Sequence, residues 1–114
     1  MSYRKYRTML TLTRIALLWA AAASFPLSAT AQDAGQIVIK DYMFAPTSVT
    51  VKAGTTVKWT NKDDEPHTVV SDAALFRSGA MDTDETFSFK FDKPGTYHFT
   101  CSIHPRMVGT ITVE

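Results

Sequence analysis

Tyr97-His98-Phe99-Thr100-Cys101-Ser102-Ile103-His104-Pro105-Arg106-Met107 carries two signals at once. It holds the chain's single cysteine, and His104 and Met107 follow at intervals of three, giving C-x-x-H-x-x-M. The residues before Cys101 alternate aromatic and polar, the period of a strand with one buried face. Val108-Gly109-Thr110-Ile111-Thr112-Val113 alternates in the same way after Met107. Thiolate, imidazole and thioether therefore sit in a short loop joining two strands, where a rigid sheet can aim side chains from a tight turn. Three donors are a poor shell for a transition metal. The candidate for the fourth is His67, in Glu65-Pro66-His67-Thr68-Val69-Val70 at the head of an earlier apolar run.

The two-residue period recurs through the chain. Ile37 and Ile39, Val49 and Val51, Val57 and Trp59, Phe87, Phe89 and Phe91, Tyr97 and Phe99, and Ile111 and Val113 are each spaced by two, mostly with Lys, Thr or Ser between. Each set predicts a strand buried on one side. Ala45-Pro46, Ala53-Gly54, Lys93-Pro94-Gly95 and Gly109 fall between the runs as punctuation. No long segment has a helical period, and residues 72–79 fit either a helical turn or an irregular loop. Six or seven short strands in so few residues predict an all-β, antiparallel sandwich. Phe87-Phe89-Phe91 follows core periodicity rather than forming a stacking platform for nucleic acid.

The first stretch stands apart from this pattern. Arg4, Lys5, Arg7 and Arg14 form a basic leader without acidic residues, ahead of an apolar run from Ile15 to Ala23. Ala29-Thr30-Ala31 then supplies the small-x-small pattern of a secretory cleavage site. The run falls short of the roughly 20 residues that span a bilayer. The expectation is a signal peptide over residues 1–31 and one mature domain over residues 32–114. Four of the twelve basic residues go with the leader, leaving eight against eleven acidic ones, or about −3. No basic patch remains to suggest nucleic acid. A domain of this size buries only roughly 60–65% of its unfolded surface. One cysteine cannot make an internal bridge. A bound metal accounts for a lone exported thiol and would stabilise the fold by mass action.

Each proposed donor is ordinary by itself, since a lone Cys is commonly a buried hydrophobe and a Met core filler. The spacing couples them. Cys101 shares strand parity with Tyr97 and Phe99, so its side chain points inward, and His67 shares parity with Val69. His98, between Tyr97 and Phe99, faces away and reads as a solvated surface residue. Lys62-Asp63-Asp64-Glu65 reads as a solvated loop, a polar rim beside the site. Structural zinc prefers a closed Cys/His tetrahedron. Two imidazoles, a thiolate and a thioether suit copper in both oxidation states. With no open position for a substrate, such a set passes electrons rather than transforming a molecule.

On these residues the chain resembles the cupredoxins over nearly all of its mature length. Phe44-Ala45-Pro46, Val49-Thr50-Val51-Lys52-Ala53-Gly54, Val57-Lys58-Trp59-Thr60-Asn61 and Pro66-His67-Thr68-Val69 match the family's first half in order. Gly95-Thr96-Tyr97 through Cys101, His104 and Met107 match its second half. The very short loop, with Pro105 after the second His, is most similar to the amicyanins. The resemblance implies a Greek-key sandwich with one type 1 copper held by His67, Cys101, His104 and Met107. It further implies a monomeric periplasmic carrier of single electrons, not an enzyme. In amicyanins the donor is methylamine dehydrogenase and the acceptor a c-type cytochrome, here docking transiently at the His104 face. The competing class is a copper-handling protein that stores or delivers the ion without redox turnover. Apolar surface around His104 is expected from Pro66, Ile103, Pro105 and Met81, with the acidic run at 63–65 steering a basic partner. Two residues depart from the pattern. Thr68 stands where the family has an Asn that braces the Cys loop, and offers a hydroxyl of shorter reach. Ile103 stands where amicyanins have Pro, and its N–H is expected to face the Cys101 sulfur.

Overall fold

The computed structural model describes residues 35–114 and two isolated positions, Ala21 and Ser24. The expected leader and its cleavage site otherwise lie outside the described residues. Every alternating set seen in the sequence becomes a strand: β1 (Gln36–Lys40), β3 (Ser48–Val51), β4 (Thr55–Asn61), β6 (Thr86–Phe91), β7 (Gly95–Thr100) and β8 (Val108–Val113). β2 (Met43–Ala45) and β5 (Val70–Ser71) bring the strands among the described residues to eight, and both are too short to display a period.

The strands form two four-stranded sheets, ordered β2-β1-β4-β6 and β3-β8-β7-β5. The chain changes sheet between β2 and β3 and at every later connection up to β7, which makes the expected all-β sandwich. Each sheet is mixed rather than purely antiparallel as expected, because β1 pairs with β4 and β3 with β8 in parallel while the other pairs are antiparallel. Parallel neighbours require a crossover rather than a hairpin, and the passages between layers supply it.

Between the layers lie Ile37, Ile39, Phe44, Val49, Val51, Val57, Trp59, Phe91, Phe99, Ile111 and Val113, all buried. Phe87 and Phe89 are only partly buried, since β6 is an edge strand. Residues 72–79 form an irregular loop without a helix, tied back by a bridge between Val70 and Arg77. That loop drives Phe76 into the core, 4.9 Å from the Phe89 ring and 5.6 Å from Trp59. Among the described residues no helix is long and apolar enough to cross a membrane.

One close approach fixes the strand that delivers Cys101. Phe99 pairs with Gly109 across β7 and β8, and its ring lies directly over the glycine. A Cβ on Gly109 would fall within 3.0 Å of three ring carbons. The vacancy lets Phe99 stand edge-on to Phe44 at 4.7 Å and to Trp59 at 5.4 Å. Gly109→Ala is therefore expected to destabilise the fold by about 1–3 kcal/mol through overpacking. In a domain of this size that lowers the melting temperature by roughly 4–8 °C per kcal/mol. Thermal unfolding checks it, and the double variant Phe99→Leu/Gly109→Ala should cost less than the sum of the singles.

Candidate metal centre

β7 ends at Thr100 and hands the chain to a tight loop over residues 101–107. The loop is closed by Cys101 N–H donating to Met107 O (3.1 Å) and Met107 N–H donating to His104 O (2.9 Å). His67 arrives from the connection between β4 and β5. A two-way backbone bridge to Met81 fixes it, His67 N–H to Met81 O at 3.1 Å and Met81 N–H to His67 O at 2.8 Å. Asn61, fully buried at the end of β4, staples the same connection. Its amide donates to Glu65 O (2.8 Å) and Met81 O (2.9 Å), and its carbonyl accepts from Asp63 N–H (2.9 Å).

These two loops bring His67, Cys101 and His104 together. The Nδ1 atoms of His67 and His104 are 3.1 Å apart, and Cys101 Sγ lies 3.9 Å from the first and 3.7 Å from the second. A triangle with those sides has its centre about 2 Å from each corner, the length of a transition-metal bond to imidazole or thiolate (~2.0–2.3 Å). Two imidazoles and a thiolate brought together, with the Met107 thioether in the same loop, form a donor set that would suit copper. His67 is 0% exposed, Cys101 1% and Met107 4%. His104 is half-buried. His98 sits outside, exposed, with its Nδ1 3.1 Å from Thr110 Oγ1 on the neighbouring strand, as parity required.

Both departures from the family pattern act on the sulfur. Thr68 N–H donates to Cys101 Sγ at 3.3 Å, and its hydroxyl lies 3.6 Å from the same atom. That hydroxyl also accepts from Ser102 N–H at 2.8 Å and sits 2.8 Å from the Ser102 hydroxyl. Thr68 thus braces the Cys loop despite its shorter reach, because Ser102 comes to meet it. Burial pushes the Cys101 thiol up, but the Thr68 amide, His67, the Thr68 hydroxyl and the Ile103 amide outweigh it and hold the thiol at about 6. A thiolate is the form a metal requires.

The acidic run departs from expectation. Lys62, Asp64 and Glu65 are exposed, but Asp63 turns inward and is buried. Its carboxylate accepts from Asp41 N–H (2.7 Å), Tyr42 N–H (2.9 Å) and His67 Nε2 (2.8 Å). Burial pushes the carboxyl up, yet the Tyr42 and Asp41 amides and His67 bring it below its ordinary 3.8. An ionised carboxylate only accepts, so Nε2 carries the proton and Nδ1 is left free to ligate. The one trace in the sequence was the Asp63–His67 spacing of four.

Tyr42 escaped the sequence reading altogether. It follows Asp41 in the turn between β1 and β2, and both have left-handed backbones, φ 52° and 58°. Two such residues cost about 1–3 kcal/mol each, offset here by the hydrogen bonds to Asp63. The Tyr42 ring stands edge-on to His67 (5.4 Å, 84°) and to His104 (5.0 Å, 86°). With Ile103, His104, Pro105, Arg106 and Met107 it lines a cleft of about 360 Å³. Ile103 and Pro105 are exposed as expected and Pro66 is half-buried. Met81 is buried and contributes no surface there, because its side chain packs into the hydrophobic core.

In the metal-free protein the Cys101 thiolate absorbance in the ultraviolet should titrate near pH 6, not near the ordinary 9.0. Thr68→Val removes the hydroxyl and should move the midpoint upward. With the folded value below the unfolded one, the thiolate stabilises the metal-free fold fully above pH 9, and this is lost as pH falls through 6.

Comparison with known proteins agrees with this geometry. Residues 13–113 match the cupredoxin-like domain family. The chain is 34% identical over 124 aligned positions to amicyanin-alpha of Methylorubrum extorquens, covering 93% of this chain and 100% of that protein. It is 40% identical over 95 positions to the plastocyanin of Scenedesmus fuscus, covering 72% and 92%. A purple cupredoxin from Nitrosopumilus maritimus superimposes with a TM-score of 0.65 at 34% identity, covering 69% of this chain and 98% of that one. The chain belongs to the cupredoxin family, and the cofactor that its donor set takes is a type 1 copper ion.

Proposed function

We propose that this cupredoxin is a periplasmic carrier of single electrons that holds one copper through His67, Cys101, His104 and Met107. The observation that carries the proposal is the donor triangle, closed to solvent at His67 and Cys101 and reaching the surface only at His104. Copper supplies the one-electron couple between Cu(I) and Cu(II). The protein's own part is to hold the donors still. Asp63 orients His67, Thr68 donates to the Cys101 sulfur, the Ile103 amide favours its thiolate form, and His104 lines the cleft with Tyr42, Ile103 and Pro105. A small, largely apolar cleft suits brief docking. Asp64 and Glu65, exposed on the connection that carries His67, favour a partner with a basic rim, while Asp63 is committed internally.

The further expectations complete the proposal. The basic leader over residues 1–31 directs export and is removed, so that the mature carrier is a monomer in the periplasm. Its donor is a dehydrogenase of the kind that serves amicyanins, such as methylamine dehydrogenase, and its acceptor a c-type cytochrome. The role is transfer rather than catalysis, because the four donors leave no position for a substrate. The burial of His67 and Cys101 weighs against delivery of the ion to another protein, which calls for exchangeable ligands.

The purified mature protein should bind one copper per chain and, when oxidised, absorb strongly in the visible through thiolate-to-copper charge transfer. Cys101→Ser should abolish the colour and His98→Ala should leave it intact; bleaching by His98→Ala would overturn the ligand set. Stopped-flow mixing with a c-type cytochrome separates the functional classes. Fast exchange with copper retained supports the carrier, and ready loss of copper to a chelator supports handling.

The Ile103 amide sets a further expectation. A hydrogen bond to the thiolate draws electron density from sulfur and favours Cu(I), which raises the potential. Ile103→Pro removes that N–H, so the midpoint should fall below the parent's in voltammetry. An unchanged or higher value with the visible band intact contradicts it.

A further inference from the structure

Two of the three clustered donors have a hydrogen-bonded brace. Asp63 accepts from His67, and Thr68 donates to Cys101. Among the described residues His104 makes no side-chain hydrogen bond outside the donor set. What lies against its ring is Tyr42, at 5.0 Å and nearly perpendicular, a preferred arrangement for paired rings.

The Tyr42 position is unusual for such a residue. A two-residue hairpin turn with positive φ at both central positions favours Asn and Gly, because a side chain there is strained. The chain instead places a large aromatic ring at φ 58°, half in solvent, 49% exposed. Turn chemistry does not call for it, and core packing gains little from it. The turn is held by two amides on Asp63, the same carboxylate that fixes His67. One buried group thereby sets the turn, the first imidazole and the ring that meets the second.

We propose that Tyr42 is a positioning residue for the metal centre: its ring, carried on the clamped Asp41-Tyr42 turn, seats against His67 and His104 and fixes the orientation of His104 toward the donor triangle and the docking cleft. The ring does this by contact, so the aromatic ring matters and the hydroxyl does not. The proposal rests on His67 and His104 being copper ligands.

Tyr42→Gly and Tyr42→Phe test it. Glycine accepts a left-handed backbone without strain, so Tyr42→Gly removes the ring while keeping or raising the melting temperature. In the metal-free protein, nuclear magnetic resonance relaxation of the His104 ring should then report the mobility of an exposed side chain. Copper affinity should fall by about tenfold, and the visible charge-transfer band should shift. Tyr42→Phe should restore ring order, affinity and band position to the parent's. A Gly variant whose His104 ring stays as ordered as the parent's overturns the proposal. So does a Gly variant that loses melting temperature, which would assign Tyr42 to the fold. Should the parent take up no copper, the ligand reading fails by itself, and ring order in the metal-free protein still decides whether Tyr42 seats His104.

Discussion

The buried carboxylate of Asp63 is the constraint on which the metal end of this sandwich depends. It accepts hydrogen bonds from Asp41, Tyr42 and His67, and each settles something different. The first two hold a strained turn between β1 and β2, and the third chooses which His67 nitrogen faces the cluster. A buried carboxylate without such donors would be pushed toward its neutral form. With them it stays ionised and acts as a fixed acceptor at the joint of three segments. Removing it would leave two amides and an imidazole without their acceptor in a buried place, a penalty of about 1–3 kcal/mol per group.

Around that joint the fold divides its labour. The layered aromatic core, with Trp59 and Phe99 at its centre, makes β7 and β8 rigid through the last residue before Cys101. The connection carrying His67 is fixed by Asn61 and by the Met81 bridge. Donors built on such supports would need little ordering when an ion binds. The same rigidity suits a one-electron centre, where little should move when the charge on the site changes. At the sulfur, burial and hydrogen bonding oppose each other, and the hydrogen bonds win. That balance keeps Cys101 a thiolate at neutral pH in a nearly dry position.

The sequence showed the strands and the cluster because both are periodic or compositionally rare. Two-residue alternation marks β1, β4 and β8 directly, and one Cys with His and Met at fixed intervals is a pattern that little besides a metal site calls for. What it could not show were contacts decided by tertiary geometry. Asp63 looks like any acid in a charged run, and only the path of the chain turns it inward while Asp64 stays out. Tyr42 lies 25 residues before His67 in a turn with no motif, so nothing local connects it to the imidazoles. Phe76 falls in a stretch without periodicity, and its burial follows from the bridge between Val70 and Arg77. Thr68 was visible as a departure, but its adequacy depends on Ser102 coming within 2.8 Å.

If these supports do what their geometry implies, the protein rather than the metal builds the donor set. Crystal structures of the metal-free and Cu(II) forms of the same chain test it most directly. One copper should sit among His67, Cys101 and His104, with His67 and Cys101 displaced by less than ~0.5 Å between the two forms. Asp63 and Thr68 should keep their hydrogen bonds in both. Displacement of His67 or Cys101 by several times that distance on metal binding, or copper held by other residues, would contradict it.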